Sequence, residues 1–166
     1  TGRVEGATVR LANGQTQTFD CDGVLLTGQF TPESSLVRLS ELRLDPNSGG
    51  PHIDQYGRCS DPAYFAAGNL LRPVETAGWS FREGHKIATM IARDLQGQLP
   101  SAASSIEIAC RGDLKLCVPQ RLSPSAVAGL QHLQLRVRRG VKGRLVVRAD
   151  GKEIWSRADS SLPERR

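Results

Sequence analysis

The chain has 166 residues, of which 39% are hydrophobic and 23% are charged, a composition typical of a globular protein with a substantial core. The formal net charge is +5, but residues 1–104 carry 9 Lys or Arg against 11 Asp or Glu, whereas residues 131–166 carry 10 against 4. This distribution argues against a nucleic-acid-binding protein, and no apolar run approaches the ~20 residues that span a bilayer. We therefore expect a cytoplasmic protein with no nucleic-acid partner and no membrane association.

The N-terminal third is predicted to be rich in strands. An Asn13-Gly14 turn between two alternating runs predicts a β-hairpin. The continuous apolar run Val24–Leu26 predicts a strand covered on both faces, as in a parallel sheet. A short helix is predicted over Pro32–Leu39, and the Gly- and Pro-rich residues 46–58 predict a loop with one short strand at Ile53.

A second buried strand is predicted at Tyr64–Ala67, followed by a long helix over Glu75–Gln96 that Gly97 and Pro100 terminate. Gly84, inside this helix, costs about 1 kcal/mol of helix stability relative to alanine, which is tolerable if another backbone packs closely there. Small or apolar residues at spacings of three and four predict the buried stripe of the helix. These residues are Ala77, Phe81, Gly84, Ala88, Ile91 and Leu95.

Beyond a linker of small residues, Leu99–Ser105, the apolar period changes to two, which indicates an antiparallel β unit of four or five strands. Asp150-Gly151 predicts a hairpin turn, with Ile154-Trp155 beginning the return strand. The predicted fold class is α+β, with one domain over 1–104 and a small β-rich domain over 105–166.

The buried run that ends on Gly68-Asn69 predicts a candidate site. It lies about six residues before a helix whose N-terminus presents unpaired N–H groups. Asn69 carries both a donor and an acceptor, which suits a hydroxyl or phosphate oxygen. From these residues alone, a ligand site and simple strand–turn–helix packing both remain open.

The segment CSDPAYFAAGN resembles the flavin-binding signature of the FAD-dependent pyridine nucleotide–disulfide oxidoreductase family. That signature has Thr-Ser-x-Pro-x-x-[Phe/Tyr]-Ala-x-Gly-Asp before a helix. Cys59 and Ser60 stand at its Thr-Ser positions, and Asn69 stands where the family has an aspartate that bonds the ribityl chain of the flavin. The upstream segment CDGVLLTGQFTPESSLV resembles the family's second signature through Asp22, Val24, Thr27, Gly28, Pro32 and Glu33.

The resemblance covers roughly residues 5–98 and implies the C-terminal part of a Rossmann-like FAD-binding domain. It also implies a set of cofactor-binding residues, in which the helix N-terminus contributes backbone N–H groups toward the flavin ring. This set consists of Gly28, Gly68, Asn69, Glu75, Thr76 and Ala77. The phrase NLLRPVETAGW and the β-rich tail further resemble the amine and opine dehydrogenase or hydrogen cyanide synthase-like branch.

Two departures from the family shape the functional prediction. The sequence lacks the Gly-x-Gly-x-x-Gly turns that hold the FAD pyrophosphate and the pyridine nucleotide, and it lacks the family's redox cysteine pair. We therefore expect a fragment of a flavin-dependent, NAD(P)-linked oxidoreductase that supplies one wall of the FAD site. We expect it to be inactive alone, to pair with the remainder of its parent chain or a partner subunit, and to self-associate. The alternative is a non-catalytic docking module whose basic β-sheet face meets an anionic partner.

Further predictions concern single residues. We expect the four cysteines to be free thiols with no metal site, although Cys110 and Cys117 flank a turn and could face each other. We expect His52 to be an exposed loop histidine. Arg82 and Glu83 are predicted to lie on the solvent side of the long helix. No catalytic residue is predicted.

Overall fold

The computed structural model describes residues 2–26, 30–73 and 75–163. It is an α+β fold with one long helix and four two-stranded antiparallel sheets among these residues, which confirms the predicted class. The strands are β1 (Gly6–Arg10), β2 (Thr16–Asp20), β3 (Ile106–Glu107), β4 (Leu114–Val118), β5 (Arg121–Leu122), β6 (Gln134–Val137), β7 (Val141–Ala149) and β8 (Lys152–Ser161). The helices are α1 (Ser35–Arg38) and α2 (Ala77–Leu95), and a single 3-10 turn covers Gly68–Leu70.

Both predicted hairpins are confirmed. β1 pairs with β2 around Gly14, which has a φ of 84°, and β7 pairs with β8 around Asp150-Gly151, with φ values of 49° and 78°. In each turn a residue that tolerates positive φ reverses the chain, as the sequence indicated. The β-rich part has six strands rather than four or five, pairing β3 with β5, β4 with β6 and β7 with β8.

Two predicted strands are wrong. Val24–Leu26 forms no strand and its apolar side chains are exposed, because no described strand pairs with it or covers it. Tyr64–Ala67 contributes only an isolated bridge between Arg58 and Phe65, although Ala66 is buried. All strand pairs among the described residues are antiparallel, so the Rossmann-like sheet stays a prediction.

The long helix α2 is confirmed within two residues at each end, and Gly97, with a φ of 68°, follows its C-terminus. The predicted buried stripe is wrong, since Phe81 is 77% and Leu95 84% exposed. The buried face is instead formed by Glu83, Ile87 and Met90. The two faces share the spacing of three and four, so the helical period alone could not select between them.

The loop over residues 46–58 forms the centre of the protein. Ile53 is fully buried without being in a strand, and it belongs to a core cluster with Cys59, Ala66, Leu71, Leu116 and Val118. The buried carboxylate of Asp54 accepts hydrogen bonds from the N–H groups of Tyr56 (2.8 Å) and Arg58 (3.1 Å) and from the Arg58 guanidinium (3.0 Å). This carboxylate replaces the ladder hydrogen bonds that a strand would have supplied.

The same loop joins the two predicted domains. Gln55 exchanges hydrogen bonds with Ser123, donating to its carbonyl at 2.6 Å and accepting from its N–H at 2.7 Å. The Ile53 N–H donates to the Gln120 side chain at 3.0 Å. The core cluster therefore contains residues from both sides of residue 104, and the division of the chain into two domains at that residue stays a prediction.

A buried ionic network fixes α2 against the rest of the protein. The carboxylate of Glu83, 4% exposed, accepts from the Gly68 N–H at 2.7 Å, from Arg72 at 2.9 Å and from Gln134 at 3.0 Å. Arg72, fully buried, also lies 3.3 Å from a carboxylate oxygen of Glu75, which pairs with Arg136. Glu83 is therefore not the solvent-side residue that the sequence indicated.

None of the described helices combines the length and apolar character that a bilayer crossing requires.

Replacing Glu83 by alanine should lower the free energy of unfolding by about 3 kcal/mol, because it removes a buried partner of Arg72 and the acceptor of the Gly68 N–H. Glu153→Ala, which breaks an exposed pair with Arg144, is the control and should cost less than about 1 kcal/mol. Urea denaturation of both variants measures the difference. Equal losses would show that the network does not stabilise the fold.

Candidate functional site

The candidate site lies where the buried core meets the N-terminal end of α2. Gly68 is buried and has a φ of 71°, a conformation that side chains with a Cβ disfavour by about 1–2 kcal/mol. The Gly68 N–H points inward to Glu83, and the following residue, Asn69, points to solvent. The glycine thus reverses the chain so that Asn69 is presented at the surface.

Asn69 both shapes the site and faces solvent. Its side-chain oxygen accepts a hydrogen bond from the Glu75 N–H at 2.9 Å, which closes the segment that leads into α2. No described residue accepts a hydrogen bond from its amide nitrogen. Asn69 therefore keeps a free donor and the second lone pair of its oxygen for a ligand.

Glu75, Thr76 and Ala77 differ in what they offer. The Glu75 side chain is buried against Arg72 and Arg136, and its N–H is used by Asn69, so this residue contributes structure rather than an open donor. Thr76 caps α2 by accepting from the Trp79 N–H at 3.3 Å. Among the described residues, the N–H groups of Thr76 and Ala77 have no partner, and both residues are exposed.

The two signature segments meet at one cavity. A volume of about 280 Å³ is bounded by residues 30–33 on one side and by Asn69, Leu70 and Pro73 on the other. Pro32 and Glu33 come from the upstream signature, and Asn69 comes from the downstream one. Gly28, the remaining predicted site residue, lies outside the described residues.

The cavity carries one negative charge. The Glu33 carboxylate accepts hydrogen bonds from the N–H (3.1 Å) and the hydroxyl of Ser35, and these bonds hold the pKa of Glu33 below its ordinary value. A carboxylate and an amide that line the same cavity suit a ligand with several hydroxyl groups, which can donate to the first and accept from the second. The same carboxylate repels a phosphate.

The sequence reasoning missed the buried ionic network beneath this cavity. Arg72, Glu83 and Arg136 are far apart in the chain, and only the tertiary structure brings them together. One signal was present, because Glu83 lies three residues after Ser80, four before Ile87 and seven before Met90, on a second stripe of helical period.

His52 is buried rather than exposed, which corrects the sequence prediction. Its imidazole lies 3.2 Å from the Glu107 carboxylate, and burial, followed by the nearby Arg43, lowers its pKa. Its backbone N–H bonds the Arg43 carbonyl at 2.8 Å, so the residue is held in the loop that forms the core. We assign it a structural role.

All four cysteines are free, as expected. Cys110 and Cys117 lie close enough for their thiols to interact, and the Cys117 thiol donates to the Pro119 carbonyl at 3.5 Å. The neighbouring Cys117 thiol lowers the pKa of half-buried Cys110 to about 7, and the Cys110 thiol, together with burial, raises the pKa of Cys117. Burial raises the pKa of Cys59 to about 11, so its thiol stays protonated near neutral pH.

Cys110 should therefore react with iodoacetamide at a rate that rises with pH and is half-maximal near pH 7, since the thiolate is the nucleophile. Mass spectrometry of peptides alkylated between pH 5 and 10 measures the profile, with Cys59 as the unreactive internal control. Cys117→Ala, which removes the neighbouring thiol, should move the midpoint upward. A Cys110 midpoint that already lies in the ordinary thiol range would contradict the effect of Cys117 on the pKa of Cys110.

Comparison with known proteins gives one partial similarity. The chain is 35% identical over 92 residues to a dihydrolipoyl dehydrogenase of Geobacillus stearothermophilus, a pyridine nucleotide–disulfide oxidoreductase. The matched part is 54% of this chain and 20% of the relative, so the similarity spans a fifth of that enzyme. No family model matches the chain, and no solved structure gives a significant match. The chain is thus similar in part to an oxidoreductase of the family that its two signature segments resemble.

Proposed function

We propose that the chain is part of a flavin-dependent, NAD(P)-linked oxidoreductase and supplies one wall of its FAD site. The convergence of the two signature segments at one cavity carries this proposal, because segments about 40 residues apart in sequence share a small surface region. The partial similarity to a dihydrolipoyl dehydrogenase supports it. When bound, the flavin supplies the hydride chemistry.

The residues at the cavity fit one part of such a cofactor. Hydroxyl groups of a ribityl chain can donate to Glu33 and accept from the free amide of Asn69. Thr76 and Ala77 do not line the cavity, but their free N–H groups at the start of α2 suit the electron-rich edge of a flavin ring, where the partial positive charge of a helix N-terminus adds to the attraction. Gly68 holds Asn69 in position.

Among the described residues that line the cavity, Glu33 is the only charged one, and its carboxylate repels the pyrophosphate of FAD. We propose that the glycine-rich turns for FAD and for NAD(P)H belong to another part of the intact protein. The chain alone is then inactive. The substrate, by the branch resemblance, is a small amine or an amino acid-like compound.

A flavin titration of this chain beside its full-length parent tests the proposal. The parent should bind FAD tightly, the chain alone poorly, and Asn69→Leu in the parent should weaken binding about tenfold through the loss of a hydrogen bond and of loop closure. Asn69→Asp, which keeps the acceptor, should retain binding, and Gln131→Leu, at an exposed site away from the cavity, is the matched control. Quenching of FAD fluorescence and the visible flavin band report binding.

A parent that binds no flavin would overturn the proposal. So would a full-length Asn69→Leu variant with the same FAD affinity as the Gln131→Leu control.

We also propose that two apolar surfaces of this chain are covered by the remainder of the parent protein. Leu25 and Leu26 are 88% and 87% exposed, and the outer face of α2 presents Phe81 and Leu95. At Gly84, no atom of the described residues lies within 4 Å of where a Cβ would stand, so no close backbone contact is made there in the part of the chain that the structure describes. Exposed apolar side chains in such groups mark interaction sites.

The isolated chain should accordingly self-associate, and its weight-average mass in sedimentation velocity should rise with concentration. The double change Leu25→Ser and Leu26→Ser should suppress the rise, whereas Leu162→Ser, at another exposed leucine, should not. A constant monomer mass up to millimolar concentration would contradict the covered-surface proposal without bearing on flavin binding.

A further inference from the structure

A cleft in the β-rich part of the chain is separate from the candidate flavin site. It lies between the β4–β6 pair and the β7–β8 hairpin, which share no strand, and has a volume of about 590 Å³. Clefts of about 300–1,000 Å³ are typical of small-molecule sites. The cleft is therefore large enough for a small-molecule ligand, and the chemistry of its walls decides which class of ligand fits.

The walls of the cleft are aliphatic. Leu114, Leu135 and Val137 line it from the β4–β6 pair, and Leu145 and Val146 line it from the hairpin. Several of these side chains are half-buried, so neither sheet is fully covered by the other. Apolar area left open between two sheets favours a ligand with an aliphatic body.

The rim of the cleft is cationic. Arg139 is held by Asp113 in a two-pronged pair at 2.8 and 3.3 Å, and Arg144 is held by Glu153 and by the Ser156 hydroxyl. These contacts leave two rim cations, Arg111 and Lys142, for which no carboxylate partner occurs among the described residues.

The acidic residues at the rim do not cancel this charge. Asp113 is engaged by Arg139, and Asp159 pairs with Arg157 at 2.8 Å. An anionic group at the mouth of the cleft can therefore pair with Arg111 and Lys142 without displacing a carboxylate from either of them.

The lining excludes two other classes of anion. No aromatic side chain stands among the described residues that line the cleft, so nucleic-acid bases find no stacking surface. Inorganic phosphate would use the rim but leave the aliphatic walls uncovered. A small carboxylate with an aliphatic chain satisfies both parts.

We propose that this cleft binds a small aliphatic carboxylate, with its chain between the two sheets and its carboxylate at Arg111 and Lys142. The site requires neither flavin nor the rest of the flavin domain. A small aliphatic carboxylate is also one specific form of the anionic partner that the basic C-terminal residues indicated.

Isothermal titration of the full chain with octanoate tests the proposal. Octanoate should bind, octanol should bind at least about tenfold more weakly because it lacks the charge, and inorganic phosphate should compete only weakly because it reaches the rim cations but not the aliphatic walls. Arg111→Gln and Lys142→Gln should each weaken octanoate binding about tenfold, with Arg148→Gln, on β7 but not lining the cleft, as the matched control.

Both rim residues are exposed, so the variants should keep the circular dichroism spectrum of the parent chain. A third variant, Leu135→Asp, places a charge on the aliphatic wall and should abolish binding. The proposal is overturned if octanoate does not bind, if octanol binds equally well, or if the two rim variants bind like Arg148→Gln.

Discussion

The arrangement of this protein depends on the buried carboxylate of Glu83. A carboxylate removed from water is costly unless several donors surround it, and here the Gly68 N–H, the Arg72 guanidinium and the Gln134 amide supply them. These donors come from the turn before α2, the segment leading into α2, and β6. None of the three elements can move far without leaving a buried charge unpaired, so their relative positions are fixed together.

That constraint extends to the candidate site. Gly68 donates inward to Glu83, and the next residue, Asn69, accepts outward from the Glu75 N–H. Glu75 in turn directs its side chain to Arg72 and Arg136. The buried charges therefore fix the position of the polar surface that we propose for a ribityl chain, although they do not contact the ligand. Such supporting contacts keep a site on a short turn rigid.

The β-rich part supports the same surface. β4 contributes Leu116 and Val118 to the core cluster that contains Ile53 and Leu71, and β6 provides Gln134 to the network around Glu83. The amphipathic cleft lies on the other side of these strands, between them and the β7–β8 hairpin. Two surfaces of different chemistry thus share one scaffold, the first suited to hydroxyl groups and the second to an aliphatic anion.

The sequence by itself determined the features that local chemistry controls. Asn13-Gly14 and Asp150-Gly151 fixed both hairpins because their residues tolerate positive φ, and Gly97 and the helical period fixed the extent of α2. The sequence singled out Gly68-Asn69 as a candidate ligand site at the end of a predicted strand, whereas the structure makes it a 3-10 turn and brings Pro32 and Glu33 to the same cavity. Only the tertiary structure decided which face of α2 is buried, since Phe81 and Ile87 belong to stripes of the same period and the choice depends on what each stripe meets. It also left Val24–Leu26 exposed and buried Ile53 in a loop, because burial is set by neighbours distant in the chain rather than by the residues themselves.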